Sequence, residues 1–256
     1  MEPIIQIRDL RKFFGKKQAL YGINLDIMPG QIIGYIGPNG AGKSTTVRIL
    51  AGLDERFEGT VTIKGIDVKE NPLAVKRIIG YIPELADLYD VLAPMEFLML
   101  IGRLHDLEDQ QIEERATRML DFLGLKDQLH HRMDTFSKGM RQKVLLVSGL
   151  LHNPEIIFMD EPLSGLDANA VILVKEIILR LVEQGKTVIY CSHNMDTVEK
   201  ISDRIILIAE GKVVADGTFQ ELKRNEGDTL EKLFSQLTGQ PDFDQLAEGF
   251  TQTFNP

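Results

Sequence analysis

The apolar positions at the start of the chain gather in short runs at strand spacing. "IIQIRDL" and "LYGINLDIM" read as strands, and Pro29-Gly30 supplies a turn after the second. "QIIGYIG" is an apolar run ending in glycine, the pattern of a buried strand, and a helix is predicted behind it from about Lys43 to Leu50. "GTVTIKG" and "IIGYIPE" are further strands, the second stopped by Pro83.

The middle of the chain changes period. From Pro94 to about Leu151 the pattern is helical and no strand stands out. Ile112, Ala116, Met119, Leu120 and Leu123 share one helical face; Val144, Val147, Ser148 and Leu151 share another. Strand and helix then alternate again. "IIFMD" is a buried strand, and Ala170, Val174, Ile177, Ile178 and Leu181 mark a helix. "TVIYCSH" is a strand, and "RIILIAEGKVVADG" is a hairpin turning at Glu210-Gly211. This alternation predicts an α/β fold with a mainly parallel sheet. After about Glu226 one more helix is predicted in "TLEKLFSQL", and "TGQPDFDQLAEGFTQTFNP" is expected as a mobile polar tail.

Composition changes this picture only in what it excludes. The formal net charge of -9 argues against a general nucleic-acid binder. A single cysteine, Cys191, allows no intrachain disulfide and fits a reducing compartment. "MEPIIQIRDL" lacks the charged-then-apolar pattern of a leader, so no secretory signal is expected. Apolar runs such as "FLMLI" and "AVILV" fall short of the roughly 20 residues a membrane helix needs, so work at a membrane would call for a spanning partner.

The chemistry begins at "GPNGAGKST". Gly37 to Ser44 has the spacing G-x-x-x-x-G-K-[ST] between a predicted strand and a predicted helix. Gly37, Pro38, Asn39, Gly40, Ala41, Gly42 and Thr45 belong to this cradle, whose glycines let the backbone N–H groups turn inward around phosphate oxygens, Pro38 supplying shape and no donor. Lys43 would reach the outer phosphates, and the Ser44 hydroxyl would ligate Mg2+. A nucleotide triphosphatase also needs a carboxylate-bearing strand, and "IIFMDE" supplies one. Asp160 is placed to hold the metal, and Glu161 to orient or deprotonate water. Taken alone, the acidic pair would suit a solvated strand end.

A second anion-directed helix start lies in "FSKGMRQKV", with Ser137 in the capping position. Taken alone it is a plain capped helix. In order and spacing, however, "GPNGAGKST", "FSKGMRQKV", "IIFMDEPLSGLD" and "YCSHNMD" resemble the ATP-binding subunit of ABC transporters, from about Ile4 to Leu222. The signature and "IGYIPE" look most like the bacterial branch that exports drugs, ions or polysaccharides. The resemblance implies a P-loop ABC ATPase fold: a mainly parallel core sheet, an N-terminal antiparallel β subdomain and a helical subdomain at about 94–151. The ATPase domain would span 1–225, with a C-terminal helix and tail over 226–256.

The same resemblance implies the partners and the remaining roles. Two ATPase chains, most simply identical, would pack head to tail around ATP and Mg2+ and drive an integral membrane permease at the cytoplasmic face of the membrane. Ser137, Lys138, Gly139 and Met140 would close over the γ-phosphate held by the opposite Lys43. This signature departs from L-S-G-G-Q at Phe136, Lys138 and Met140, and Lys138 adds a cation. His193 would contact the γ-phosphate, Phe14 would stack on adenine, and "SGLD", Ser164 to Asp167, would speak across the dimer. Glu84 stands where the family has a glutamine and is expected to help hold Mg2+. Arg11, Lys12, Lys16 and Lys17 read as a solvated face, and His105, His130 and His131 as surface. The rival readings are a soluble ABC ATPase in translation or DNA repair, and a regulatory module without hydrolysis.

Overall fold

The computed structural model describes residues 2–84, 89–223, 229–239 and 243–254. Strands β1 (Ile5–Phe14), β2 (Lys17–Ile27) and β3 (Ile32–Ile36) lead into helix α1 (Lys43–Leu50). Strands β4 (Glu58–Ile63) and β5 (Ile66–Asp67), helix α2 (Pro72–Ile78) and strand β6 (Ile79–Ile82) follow. Helices α3 (Pro94–Leu104), α4 (Asp109–Phe122) and α5 (Lys138–Leu150) fill the middle, with short 3₁₀ turns at Lys126–Gln128 and Met133–Thr135. The alternating part holds β7 (Ile156–Asp160), α6 (Ala168–Glu183), β8 (Thr187–Cys191), α7 (Met195–Ile201), β9 (Arg204–Ala209) and β10 (Lys212–Gly217). Helices α8 (Phe219–Leu222), α9 (Leu230–Thr238) and α10 (Phe243–Gln252) end the described chain.

Two sheets form. One is antiparallel, in the order β2-β1-β4-β5; the other runs β10-β9-β3-β8-β7-β6. In the second, β9, β3, β8, β7 and β6 are all mutually parallel, and only the β10 edge is antiparallel. Strands β3, β7 and β8 are buried along their whole length, which is why they read as unbroken apolar runs.

The period of two along those strands sorts their side chains between two cores. Ile32, Ile36, Ile157, Met159, Val188, Tyr190, Ile205 and Leu207 face the helices α3 to α7 and α9. Their neighbours Ile33, Tyr35, Ile156, Phe158, Ile189, Cys191, Ile206 and Ile208 face the antiparallel sheet and α1. The central sheet is therefore the shared wall of both cores, and its carboxyl-terminal strand ends open onto one edge. In parallel α/β sheets that edge is where ligands bind. No helix among the described residues is long and apolar enough to cross a membrane.

Four sequence expectations differ from the structure. Helices α2, α7 and α8 and the two-residue strand β5 have no counterpart in the sequence reading; all are too short for periodicity to declare them. The stretch expected as a mobile tail contains α10, because apolar residues at 243, 246, 247 and 250 recur at helical spacing within it; residues 226–228, 240–242 and 255–256 lie outside the described residues. Lys12 is not on a solvated face but only 3% exposed. The cause is a bulge: Asp9 takes φ 49 and the pairing register slips between Ile7 and Leu10, so the inward face passes from Ile5 and Ile7 to Leu10 and Lys12. His105 is half-buried and stacks on His152 with ring centroids 3.7 Å apart, whereas His130 and His131 are exposed as expected.

Candidate functional site

The loops that follow β3, β6, β7 and β8 meet at one end of the central sheet around a cleft of about 960 Å³. The first is the phosphate loop. Gly40 and Gly42 take φ 79 and φ 107, backbone that a side chain would strain, and they turn the loop into the start of α1. Gly42 is the N-cap of α1 and offers no side-chain cap, so no side chain competes for the first N–H groups of the helix. Lys43 Nζ bends back over the loop and donates to the carbonyls of Gly37 at 2.6 Å and Pro38 at 3.1 Å. Ala41 is buried beneath, its N–H on Pro38 O at 3.1 Å. Asn39, Gly40, Ser44 and Thr45 line the cleft.

The carboxylates come from β7. Asp160 is 5% exposed at the strand end. Burial pushes its carboxyl up; the Ser44 hydroxyl bonded to it pulls it down; Glu84 and Glu161 beside it push it up again, and the net direction is upward. Three acidic groups thus crowd one another on the side of the cleft that Ser44 faces. Hard oxygen donors under mutual repulsion are what a divalent cation relieves, so Ser44, Asp160 and Glu84 fit Mg2+. Among the described residues no group of three His, Cys, Asp or Glu could hold an ion alone.

Glu161 takes φ 48, an uncommon backbone for a non-glycine residue, and its N–H is fixed on Cys191 O at 2.9 Å. This turn aims its carboxylate at the end of β8. Oε2 accepts from Ser192 Oγ at 3.0 Å; Oε1 accepts from His193 N–H at 2.7 Å and faces His193 Nδ1 at 2.8 Å. The His193 side chain is 77% exposed, so the ring has room to turn while its backbone stays bonded. Sequence reasoning missed Ser192, although "YCSH" places a hydroxyl beside the histidine.

The opposite end of the cleft is built on β1 and β2. Phe14 is 55% exposed and lines the cleft. Below it lies the buried Lys12, whose Nζ sits 5.0 Å from the ring centroid and donates to Asp54 Oδ1 and Arg56 O, both at 2.6 Å. Lys17, Gln18, Tyr21, Glu210, Gly211 and Lys212 also line the cleft, and none of them was read as a site residue. Gly211, at the tip of the β9–β10 hairpin, donates to Ala41 O and accepts from Tyr21 N–H, both at 3.0 Å. The hairpin tip therefore braces the phosphate loop, a contact between distant segments that no local pattern announces.

The signature residues lie elsewhere. Ser137 and Lys138 are exposed and Gly139 and Met140 half-buried, and none lines the cleft of its own chain. Ser137 Oγ caps α5 by accepting from Met140 N–H at 3.2 Å.

The family described as ABC transporter matches residues 20–164, from the second strand through the phosphate loop and both acidic residues. The chain belongs to this family. It is similar to the linearmycin resistance ATP-binding protein LnrL of Bacillus subtilis, with 36% identity over 90% of this chain and 74% of that protein. It is similar to the Nod factor export ATP-binding protein I of Cupriavidus metallidurans, with 32% identity over 93% of this chain and 82% of that protein. Among solved structures, an ATP-binding subunit of an ABC transporter superposes with a TM-score of 0.86 at 31% identity, covering 92% of this chain and 99% of that one. An ATP-binding cassette solved as a dimer in a post-hydrolysis state with ADP and Pi superposes with a TM-score of 0.77 at 26% identity, covering 84% and 98%. The chain is thus an ABC ATPase, and the α/β architecture expected from the sequence is the one observed.

Proposed function

We propose that two copies of the chain pack head to tail around two ATP·Mg2+ and power outward transport by an integral membrane permease at the cytoplasmic face of the membrane. The observation that carries this reading is the position of α5. Its N-terminus is exposed and outside its own cleft, while the other groups a triphosphate needs line that cleft. A head-to-tail pair is a closed symmetric assembly, the kind most oligomers adopt, and a related cassette was solved as a dimer. The start of α5, with Ser137, Gly139 and Met140, then faces the γ-phosphate of the opposite cleft, the Met140 N–H remaining on the Ser137 hydroxyl. The helical stretch 94–151 is the subdomain that carries them. The name of a relative in Nod factor export supports the outward direction, and supports transport over translation or repair.

Within one cleft the roles divide by reach. Lys43 swings from the carbonyls of Gly37 and Pro38 to the outer phosphates, and Phe14 stacks on the adenine face, with Lys12 behind it. Ser44, Asp160 and Glu84 would hold Mg2+, which would supply charge neutralisation to the triphosphate. Glu161 accepts a proton from water as a general base. Its Oε1 is engaged by the His193 ring, so turning that ring toward the γ-phosphate frees a lone pair for the water. His193 then reports the γ-phosphate and releases the base in one movement.

Ser137→Arg tests the trans arrangement. The variant is expected to bind ATP as a monomer with parental affinity, to form no ATP-dependent dimer on a sizing column, and to hydrolyse no ATP. Loss of ATP affinity in the monomer would mean that α5 acts on its own cleft.

A further inference from the structure

Lys138 replaces a glycine of the family signature, and its ammonium has a partner in its own chain: Nζ donates to Ser164 Oγ at 2.7 Å. The rest of that face of α5 follows the same segment. A Cβ on Gly139 would stand 2.6 Å from Gly165 O, and one on Gly165 would stand 2.9 Å from Lys138 Cγ, so the two backbones touch. One turn further, Gln142 Nε2 donates to Pro162 O at 3.2 Å, and Lys143 Nζ lies 3.9 Å from Asp167 Oδ2. Residues four apart share a helix face, so α5 grips the loop from Pro162 to Asp167 along its length.

That loop starts at the general base. Ser164 N–H donates to Glu161 O at 3.0 Å, and Glu161 holds its unusual backbone through Cys191 O. A short covalent and hydrogen-bonded path thus runs from the Lys138 ammonium through Ser164 to Glu161. A glycine at position 138 could make neither the hydrogen bond nor the packing on Gly165.

We infer that Lys138 is a positioning residue that ties the signature helix to the SGLD loop of its own chain, and so couples the nucleotide in the partner's cleft to Glu161 in its own. The inference rests on the two-chain reading above. It gives the lysine a task different from neutralising the triphosphate, and the two tasks separate experimentally.

The test is a double-mutant cycle in the full chain with Lys138→Met, Ser164→Ala and both together, and Lys138→Arg as the conservative variant. ATPase rate against ATP concentration gives kcat, KM and the Hill coefficient. Losing a charge-assisted hydrogen bond is expected to lower kcat about tenfold in either single variant. The double variant is expected to match the singles within about twofold, as partners in one contact do. The Hill coefficient falls toward one as the sites uncouple, and Lys138→Arg recovers most of the loss. ATP-driven dimerisation, read on a sizing column in the Glu161→Gln background, stays at its parental level in Lys138→Met. Additive losses, or a Lys138→Met variant that no longer dimerises while Ser164→Ala does, would place the ammonium on the partner's triphosphate and overturn the inference. Parental kinetics in Lys138→Met would overturn it as well. Failure of the two-chain reading shows separately, as a Glu161→Gln chain that forms no dimer with ATP at all.

Discussion

Helix α1 begins at Gly42, which has no side chain to cap it, while α5 begins at Ser137, whose hydroxyl already takes the Met140 N–H. The first opens into a cleft lined by its own chain; the second stands on the surface. Their far ends differ too. Just past α1, Asp54 is held by the buried ammonium of Lys12. Just past α5, His152 stacks on His105 and its Nε2 bonds Ile79 O at 2.8 Å, holding the helix to the start of β6. The same dipole serves both N-termini. What separates the two is the set of groups around them: α1 has Lys43, Ser44 and the β7 carboxylates beside it in one cleft, whereas the Ser137 hydroxyl of α5 caps its own helix and the Lys138 ammonium is bonded to Ser164. A helix start alone tells little about which anion it meets or whose.

Perturbing the two helices and what faces them grades that contrast. The largest effect belongs to Glu161→Gln, which keeps the cleft but cannot take a proton: turnover is expected to fall about a thousandfold with ATP affinity kept, and the ATP-bound dimer to accumulate on a sizing column. A variant that turns over at the parental rate would remove Glu161 from its role. Lys43→Ala removes the closest cation from the α1 side only, and isothermal titration with ATP·Mg2+ is expected to show affinity down about a hundredfold. Unchanged affinity there would leave α1 no better equipped than α5. Lys12→Met strips the anchor behind α1 and is expected to cost about 2–3 kcal/mol in urea unfolding, less than a fully buried pair because Asp54 keeps some solvent.

The smallest effect is a pH dependence at the end of α5. Burial, and then the neighbouring His105, hold the His152 imidazole down to about 4, against an ordinary value of 6.5. The unfolded chain therefore binds a proton at this residue that the folded chain refuses, and stability falls as pH drops from 6.5 toward 4. Partial solvent access limits the loss to about 1 kcal/mol, read as a lower melting temperature at pH 5 than at pH 7. His152→Leu should flatten that difference; an equal slope in the variant would assign it to other groups.

Much of the site was legible because its parts are local. The phosphate loop, the acidic pair after "IIFM" and the histidine after "YCS" each sit at the end of an apolar run, and the parallel sheet brings strand ends together without further instruction. What was not legible depends on register or distance. The bulge at Asp9 moves Lys12 inward, and nothing in "IRDLRK" states where pairing will slip. Gly211 and Ser192 act on residues far away in sequence. Whether Lys138 reaches across a dimer or into its own chain is decided by where the SGLD loop lies, which spacing does not record.

The β9–β10 hairpin has a practical consequence for anyone who labels or extends this protein. A two-residue surface turn is ordinarily the first place to insert a tag or open new termini. Here the tip is locked on both sides, by Ala41 and by Tyr21, and a side chain on Gly211 would run into the Ala19 carbonyl. An insertion at Gly211 would displace the phosphate loop and be read as a nucleotide-binding defect. The turn at Gly185 has nothing within 4 Å of a would-be Cβ, and a reporter placed beside it, with the glycine kept for its φ of 86, meets no such contact.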